Sequence, residues 1–214
     1  MPQPDLLGSD SGLLLDDATG RIRYIPDAVP GDRAQAWFAQ LRDHIDWHAQ
    51  RREMYGREVD VPRLTHHFRL DDPELHESLR EAADAVRSLT RIDFNSIGLN
   101  FYRDGRDSVA PHNDRLEDLQ RGFPIALLSL GAMRRMDIRS KHPPRRALHL
   151  DLEPGSLLLM SWRTQLNYDH GIPKTRAEVG PRISVAFRRR PQEAKGGFYR
   201  GAHFISIWSP AVCC

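Results

Sequence analysis

A chain of 214 residues can bury a substantial core, and 40% hydrophobic with 28% charged residues is an ordinary globular balance. That balance excludes a disordered chain, and no apolar run approaches the ~18 residues needed to cross a bilayer. A formal net charge of +2 is too small to imply nucleic acid by itself. Of the 31 basic residues only Lys141, Lys174 and Lys195 are lysine, a bias read as codon usage rather than as phosphate contacts. The two cysteines, Cys213 and Cys214, are adjacent and cannot build a disulfide framework. The start, MPQPDLLGSDSGLLLDD, has no basic segment ahead of its apolar patch. Together these features predict a cytoplasmic protein with no membrane span.

In chain order, residues 1–12 read as a loose extension. Leu13–Leu15 and Ile22–Ile25 flank a turn and predict a small hairpin. Asp32 is the expected cap of a helix running to about Ile45, with Trp37, Leu41 and Ile45 four apart on one face. A second helix is expected from Asp72-Pro73, a cap followed by proline, with Leu75, Leu79, Ala82, Ala83, Val86 and Leu89 as its apolar stripe. From Asn95 onward short strands and turns alternate: Asn95–Arg103, Ile125–Leu130, Arg135–Arg139, Ala147–Leu152, Ser156–Trp162 and Arg182–Arg189. Two helices followed by many strands predict a single α+β domain, a double-sheet barrel with one sheet covered by both helices. Residues 195–214 form a tail to which no role is assigned.

Residues 46–71, between the helices, have no clean period. Arg51, Arg52, Arg57, Arg63 and Arg69 are interleaved there with Trp47, Tyr55, His66, His67 and Phe68. Cations for phosphate and rings for base stacking are what a nucleotide-gripping lid uses. The other reading is an irregular segment whose aromatics pack on the barrel.

The chemistry concentrates in Asn95–Asp114. Ile97, Leu99 and Phe101 alternate with Ser96, Gly98, Asn100 and Tyr102, so the expected strand has one polar face. After the Asp104-Gly105 turn comes His112-Asn113-Asp114, extended because Pro111 disfavours helix. An imidazole and a carboxylate two apart on extended chain share a face and can hold one ion. His44-Ile45-Asp46 repeats the pattern within a helix, where residues two apart diverge. His149-Leu150-Asp151 repeats it with correct parity and is the rival. Far along the chain, Tyr168-Asp169-His170 supplies a further imidazole. Arg182 and Arg188 then share a strand face, roughly 20 Å apart along the backbone at ~3.3 Å per residue. Arginine's planar fork suits a small dianion held between them. Two His and one carboxylate are the facial triad of non-haem Fe(II) oxygenases.

Asn100-x-Tyr102, His112-x-Asp114, Pro124-Ile125, Ser129-Leu130-Gly131, Pro154-Gly155-Ser156-Leu157-Leu158, Tyr168-x-His170 and Arg182-x-Ser184-x-x-Phe187-Arg188 resemble the AlkB family of Fe(II)/2-oxoglutarate dioxygenases. The resemblance covers about residues 60 to 190 and is closer to the animal nucleic-acid demethylases than to the founding bacterial enzyme. It implies a double-stranded β-helix, a jelly-roll relative. It implies His112, Asp114 and His170 as iron ligands, and Asn100, Tyr102, Arg182, Ser184 and Arg188 around 2-oxoglutarate, with O2 as oxidant. It also implies a monomer that demethylates alkylated bases in single-stranded or locally unpaired nucleic acid. Pro62-Arg63-Leu64-Thr65 resembles the family's lid sequence, which makes Arg63 a substrate contact and His67 or Phe68 the stacking ring.

Two departures bear on the substrate. Ser184 replaces the family's asparagine between the arginines. Leu116 stands where the nucleic-acid members carry an acid, and Glu117, one position later on an extended segment, would point the other way. The same scaffold acting on a protein, lipid or small molecule is therefore the alternative, and a non-catalytic binding protein the third.

Overall fold

The computed structural model describes residues 12–54 and 57–191. Chain order is β1 (Leu13–Asp17), β2 (Gly20–Ile25), α1 (Gly31–His44), β3 (His48–Met54), β4 (Arg57–Arg69), α2 (Glu77–Thr90), β5 (Ser96–Tyr102) and β6 (Val109–His112). After a 3-10 turn at Leu116–Asp118 come β7 (Ile125–Gly131), β8 (Arg134–Ser140), β9 (Ala147–Leu152), β10 (Leu157–Met160), α3 (Trp162–Asn167), β11 (Tyr168–Ile172) and β12 (Arg182–Arg188). One antiparallel sheet has the order β1-β2-β10-β7-β12-β5-β4-β3, the other β6-β11-β8-β9. This is the expected jelly-roll architecture with its two supporting helices.

Strand alternation separates two cores. Ile183, Val185 and Phe187 of β12 and Ile97 and Leu99 of β5 face α1 and α2, meeting Trp37, Phe38, Leu41, Leu79 and Val86. Phe187 is completely buried there, and its truncation to alanine removes ~3–5 kcal/mol. The opposite face packs against the small sheet through Tyr102, Leu127, Leu158, Met136, Ile138 and Ala186. Gly131 ends β7 at φ +83°, and a Cβ there would stand 2.5 Å from the Pro181 carbonyl and 2.6 Å from the Phe38 ring. Only glycine allows α1 to sit that close.

Several local expectations are corrected. Asp32 lies in the first turn of α1, whose cap position is Pro30, without a capping side chain. α2 starts at Glu77, where the His76 side chain accepts from Ser78 N–H. Asp72 closes a separate turn instead, its carboxylate accepting from Glu74 N–H at 2.9 Å. Residues 46–71 are not irregular: β3 and β4 form a hairpin, and Leu64–Arg69 pair with β5. Tyr55 lies outside the described residues, as do the side chains of Arg52 and Arg57. Gly12, expected to be loose, accepts from Tyr24 N–H at 2.7 Å. Residues 1–11 and the 195–214 tail with Cys213 and Cys214 lie outside the described residues. Among the described residues no helix is long and apolar enough to cross a membrane.

Candidate metal centre and cosubstrate site

β6 and β11 pair with His112 opposite His170, which brings the two rings to 4.6 Å between centroids. The chain leaves the sheet after His112, and Asp114, two residues on, joins the two imidazoles. Ligand atoms of His112, Asp114 and His170 all lie within 4.8 Å of one another, the one such His/Cys/Asp/Glu group among the described residues. Three donors of this type on one side of a point suit a divalent first-row metal with open positions opposite.

Their electrostatics suit the same purpose. Burial, with His112 alongside, pushes the His170 imidazole down to about 3, so it is neutral with a free lone pair at pH 7. Burial likewise lowers His112. The Nδ1–H of His112 donates to the Ala110 carbonyl at 2.9 Å. A carbonyl can only accept, so Nε2 is left as the metal-facing nitrogen. For Asp114 burial acts upward, but the Arg188 guanidinium outweighs it and, with both imidazoles, holds the carboxyl at about 2. Arg188 reaches Asp114 through Nε at 2.5 Å and Nη2 at 3.2 Å. Gly98, opposite Ala186 and diagonal to Arg188 across the strands, leaves room: a Cβ there would stand 2.7 Å from Nη1 of Arg188.

The two arginines of β12, expected to hold a dianion between them, have different surroundings. Arg188 is committed to Asp114, whereas Arg182 stands differently. It is 1% exposed, its Nε donates to Ser129 Oγ at 2.9 Å, and Nη1 and Nη2 have no hydrogen-bond partner. Its guanidinium carbon lies 5.4 Å from the Tyr102 ring centre, and burial lowers its pKa to about 10, still protonated at pH 7. A buried cation with unmet donors costs several kcal/mol unless an anion completes it. A dicarboxylate reaching from the triad would do so, and the residues present thus fit 2-oxoglutarate. Ser184 and Asn100 face each other across β12 and β5 on this side of the sheet.

The expected substrate residues divide. Arg63 turns inward, its Nε donating to Asn100 Oδ1 at 2.8 Å. Phe68, named as an alternative stacker, packs with the helix-side core and lies 4.4 Å from the His66 ring. Strand parity puts His67, which is exposed, on the other face. Arg51 and Arg69 pair with Asp60 and Asp71. Leu116 and Glu117 sit on a 3-10 turn, not on extended chain, which removes the parity argument that turned Glu117 away. Glu117 and Asp118 line a cavity of about 670 Å³ with His67, Asn95, Ser96 and Arg190. The rival His149 is exposed and belongs to no metal-ligand group among the described residues: its Nδ1 lies 2.7 Å from Asp137, which also receives Arg135 and Arg139.

Sequence reading missed Arg134, which is 3% exposed and donates to the carbonyls of Asp104, Asp107 and Pro173. It thereby ties the loops before β6 and after β11. A second basic residue beside Arg135 gave no signal for this.

Residues 65–188 match the family described as the 2OG-Fe(II) oxygenase superfamily. The chain is 36% identical over 118 residues to the DNA oxidative demethylase ALKBH2 of Bos taurus, a match covering 52% of this chain and 42% of that protein. It is 30% identical over 202 residues to the alpha-ketoglutarate-dependent dioxygenase alkB homolog 3 of Bos taurus, covering 84% of this chain and 69% of the relative. The chain thus spans under half the length of the first relative and about two thirds of the second. A Pseudomonas putida prolyl-4-hydroxylase structure shares the fold, with a TM-score of 0.54 at 18% identity over 79% of this chain and 93% of that one.

Proposed function

The chain belongs to the AlkB family within the 2OG-Fe(II) oxygenase superfamily, and on that premise we propose that it oxidatively demethylates N-alkylated bases in nucleic acid. The products are succinate, CO2 and formaldehyde. The observation that carries the chemistry is the pairing of a His-Asp-His cluster with the buried, incompletely partnered Arg182. Names of relatives supply the substrate class, and the cavity beside His67 is large enough for an extruded base.

Fe(II), with 2-oxoglutarate and O2, supplies the oxidising power that no side chain has. His112, Asp114 and His170 would hold the iron, and neutral imidazoles at pH 7 make no competing demand for protons. Arg188 keeps Asp114 ionised and aimed. Arg182 would pair the distal carboxylate of 2-oxoglutarate, its fork steadied by Ser129, with Tyr102 and Asn100 on the adjoining strand. His67 would stack against the base, and Glu117 or Asp118 would accept from its exocyclic amine. The test is product mass. A single-stranded oligonucleotide with one N-methylated base should lose that methyl group in the presence of Fe(II) and 2-oxoglutarate. An unchanged mass for every methylated base tried would transfer the reading to a protein, lipid or small-molecule substrate, which the apolar Leu116 favours.

A further inference from the structure

We propose that Lys141 is a positioning residue of the metal centre, holding the His112–Asp114 loop against the segment that carries His170. The inference rests on the metal reading of the triad and goes beyond it. β6 ends at His112, so no sheet ladder fixes Asp114. Its backbone N–H instead donates to Oε1 of Gln165 at 3.0 Å, and Gln165 in α3 is fully buried. Lys141 closes this arrangement from the other side. Its Nζ donates to Oδ1 of Asn113 at 2.6 Å and to the Gln165 carbonyl at 3.0 Å, and lies 3.6 Å from Oδ1 of Asp169. Its own backbone N–H donates to the Asn167 carbonyl at 2.8 Å. One ammonium therefore joins the residue between the two ligands of the loop, the helix that holds Asp114, and the residue before His170.

The choice of lysine has a chemical reason. Three acceptors from separate segments surround one nitrogen, and an ammonium offers three donors in tetrahedral directions. A guanidinium is a planar fork one atom longer and cannot address them from one point. The chain uses arginine at 28 of its 31 basic positions, so a lysine at this convergence matches a need that arginine does not meet. The Lys141 side chain is 23% exposed, which leaves little of it for an external partner.

The experiment is a Co(II) titration, read by visible absorption, of wild type, Lys141→Arg, Lys141→Met and the exposed control Lys174→Met, with melting temperatures of the metal-free proteins. Both Lys141 variants should bind Co(II) about tenfold or more weakly, with an altered absorption band. The control should match wild type. Arginine, keeping the charge, should fail to rescue. Unchanged Co(II) affinity in folded Lys141→Met, or full rescue by Lys141→Arg, overturns the proposal. So does a fall in melting temperature without loss of affinity, which marks a merely structural residue. If the Lys141 variants do not fold, Asn113→Ala and Asp169→Asn decide: the first removes the Lys141 contact together with the Nδ2–H bond to the Asp114 carbonyl, the second loosens only Lys141. Weakened Co(II) binding in both supports the role and wild-type binding in either overturns it. A wild type that binds no Co(II) overturns the metal reading and this proposal together, whereas normal wild-type binding with unaffected variants overturns only this proposal.

Discussion

At the residue scale the centre works through three side chains kept in the protonation states that bind a metal. His170 titrates near 6.5 when unfolded and near 3 when folded, so between these values the unfolded chain binds the extra proton. Its contribution to stability is complete above about pH 6.5 and is lost as the pH falls toward 3. Metal-free protein should therefore melt progressively lower through that window, and His170→Asn should flatten the dependence; equal slopes in the two proteins would remove burial as the cause. His112→Ala, Asp114→Ala and His170→Ala should each abolish Fe(II)-dependent succinate production, while His149→Ala, at an outward salt-bridge cluster, should retain it. Retention of iron by the His112 variant with loss by the His149 variant would reverse the assignment. The arginines of β12 should separate by readout. Arg182→Lys loses the fork and should raise the 2-oxoglutarate requirement tenfold or more, given ~1.5–3 kcal/mol for a charge-assisted hydrogen bond. Arg188→Lys should weaken metal retention instead, because its partner is Asp114.

At the scale of elements, the β3–β4 hairpin is where sequence and structure part. Leu64, His66 and Phe68 do alternate with Arg63, Thr65, His67 and Arg69, but histidines occupy both faces and proline interrupts at Pro62, so hydropathy shows no period of two. Pairing with β5 imposes the strand that composition concealed. Asp72-Pro73 misled in the opposite way, since a good helix-start dipeptide here forms an independent turn. The strands β5, β9 and β12 were legible because their alternation survives in the chain, and β7 because its apolar run is bounded by Pro124 and Gly131. The parity of β4 makes a direct prediction. His67→Ala should weaken binding to a methylated single strand by ~1–3 kcal/mol with little change in melting temperature. Phe68→Ala should lower stability by about 1–2 kcal/mol and leave binding intact in the folded fraction. Should the Phe68 variant lose binding at unchanged stability, the face assignment is wrong. Binding by the wild type should also fall with salt, with a log-log slope of about −0.7 per phosphate neutralised.

At the scale of the molecule, the candidate ligands and Arg182 were legible from residue type and strand parity, although parity left His149-Asp151 as a rival and the resemblance chose between them. What they do to one another was not. No spacing reveals that Arg188 spends its charge on Asp114 or that Arg182 lies buried with unmet donors, because both depend on how the two sheets pack. The sheet pairing sets His112 opposite His170 in one sheet and Arg182 opposite Tyr102 on the polar face of the other. The central claim is that this face couples 2-oxoglutarate decarboxylation to removal of a methyl group from a base. It is tested most directly by measuring succinate and formaldehyde in one reaction with Fe(II), 2-oxoglutarate and an N-methylated single-stranded oligonucleotide. Equal amounts of both, appearing together in the wild type and absent with His170→Ala, are the expected result; succinate formed at an unchanged rate with or without the oligonucleotide, and no formaldehyde, would contradict it.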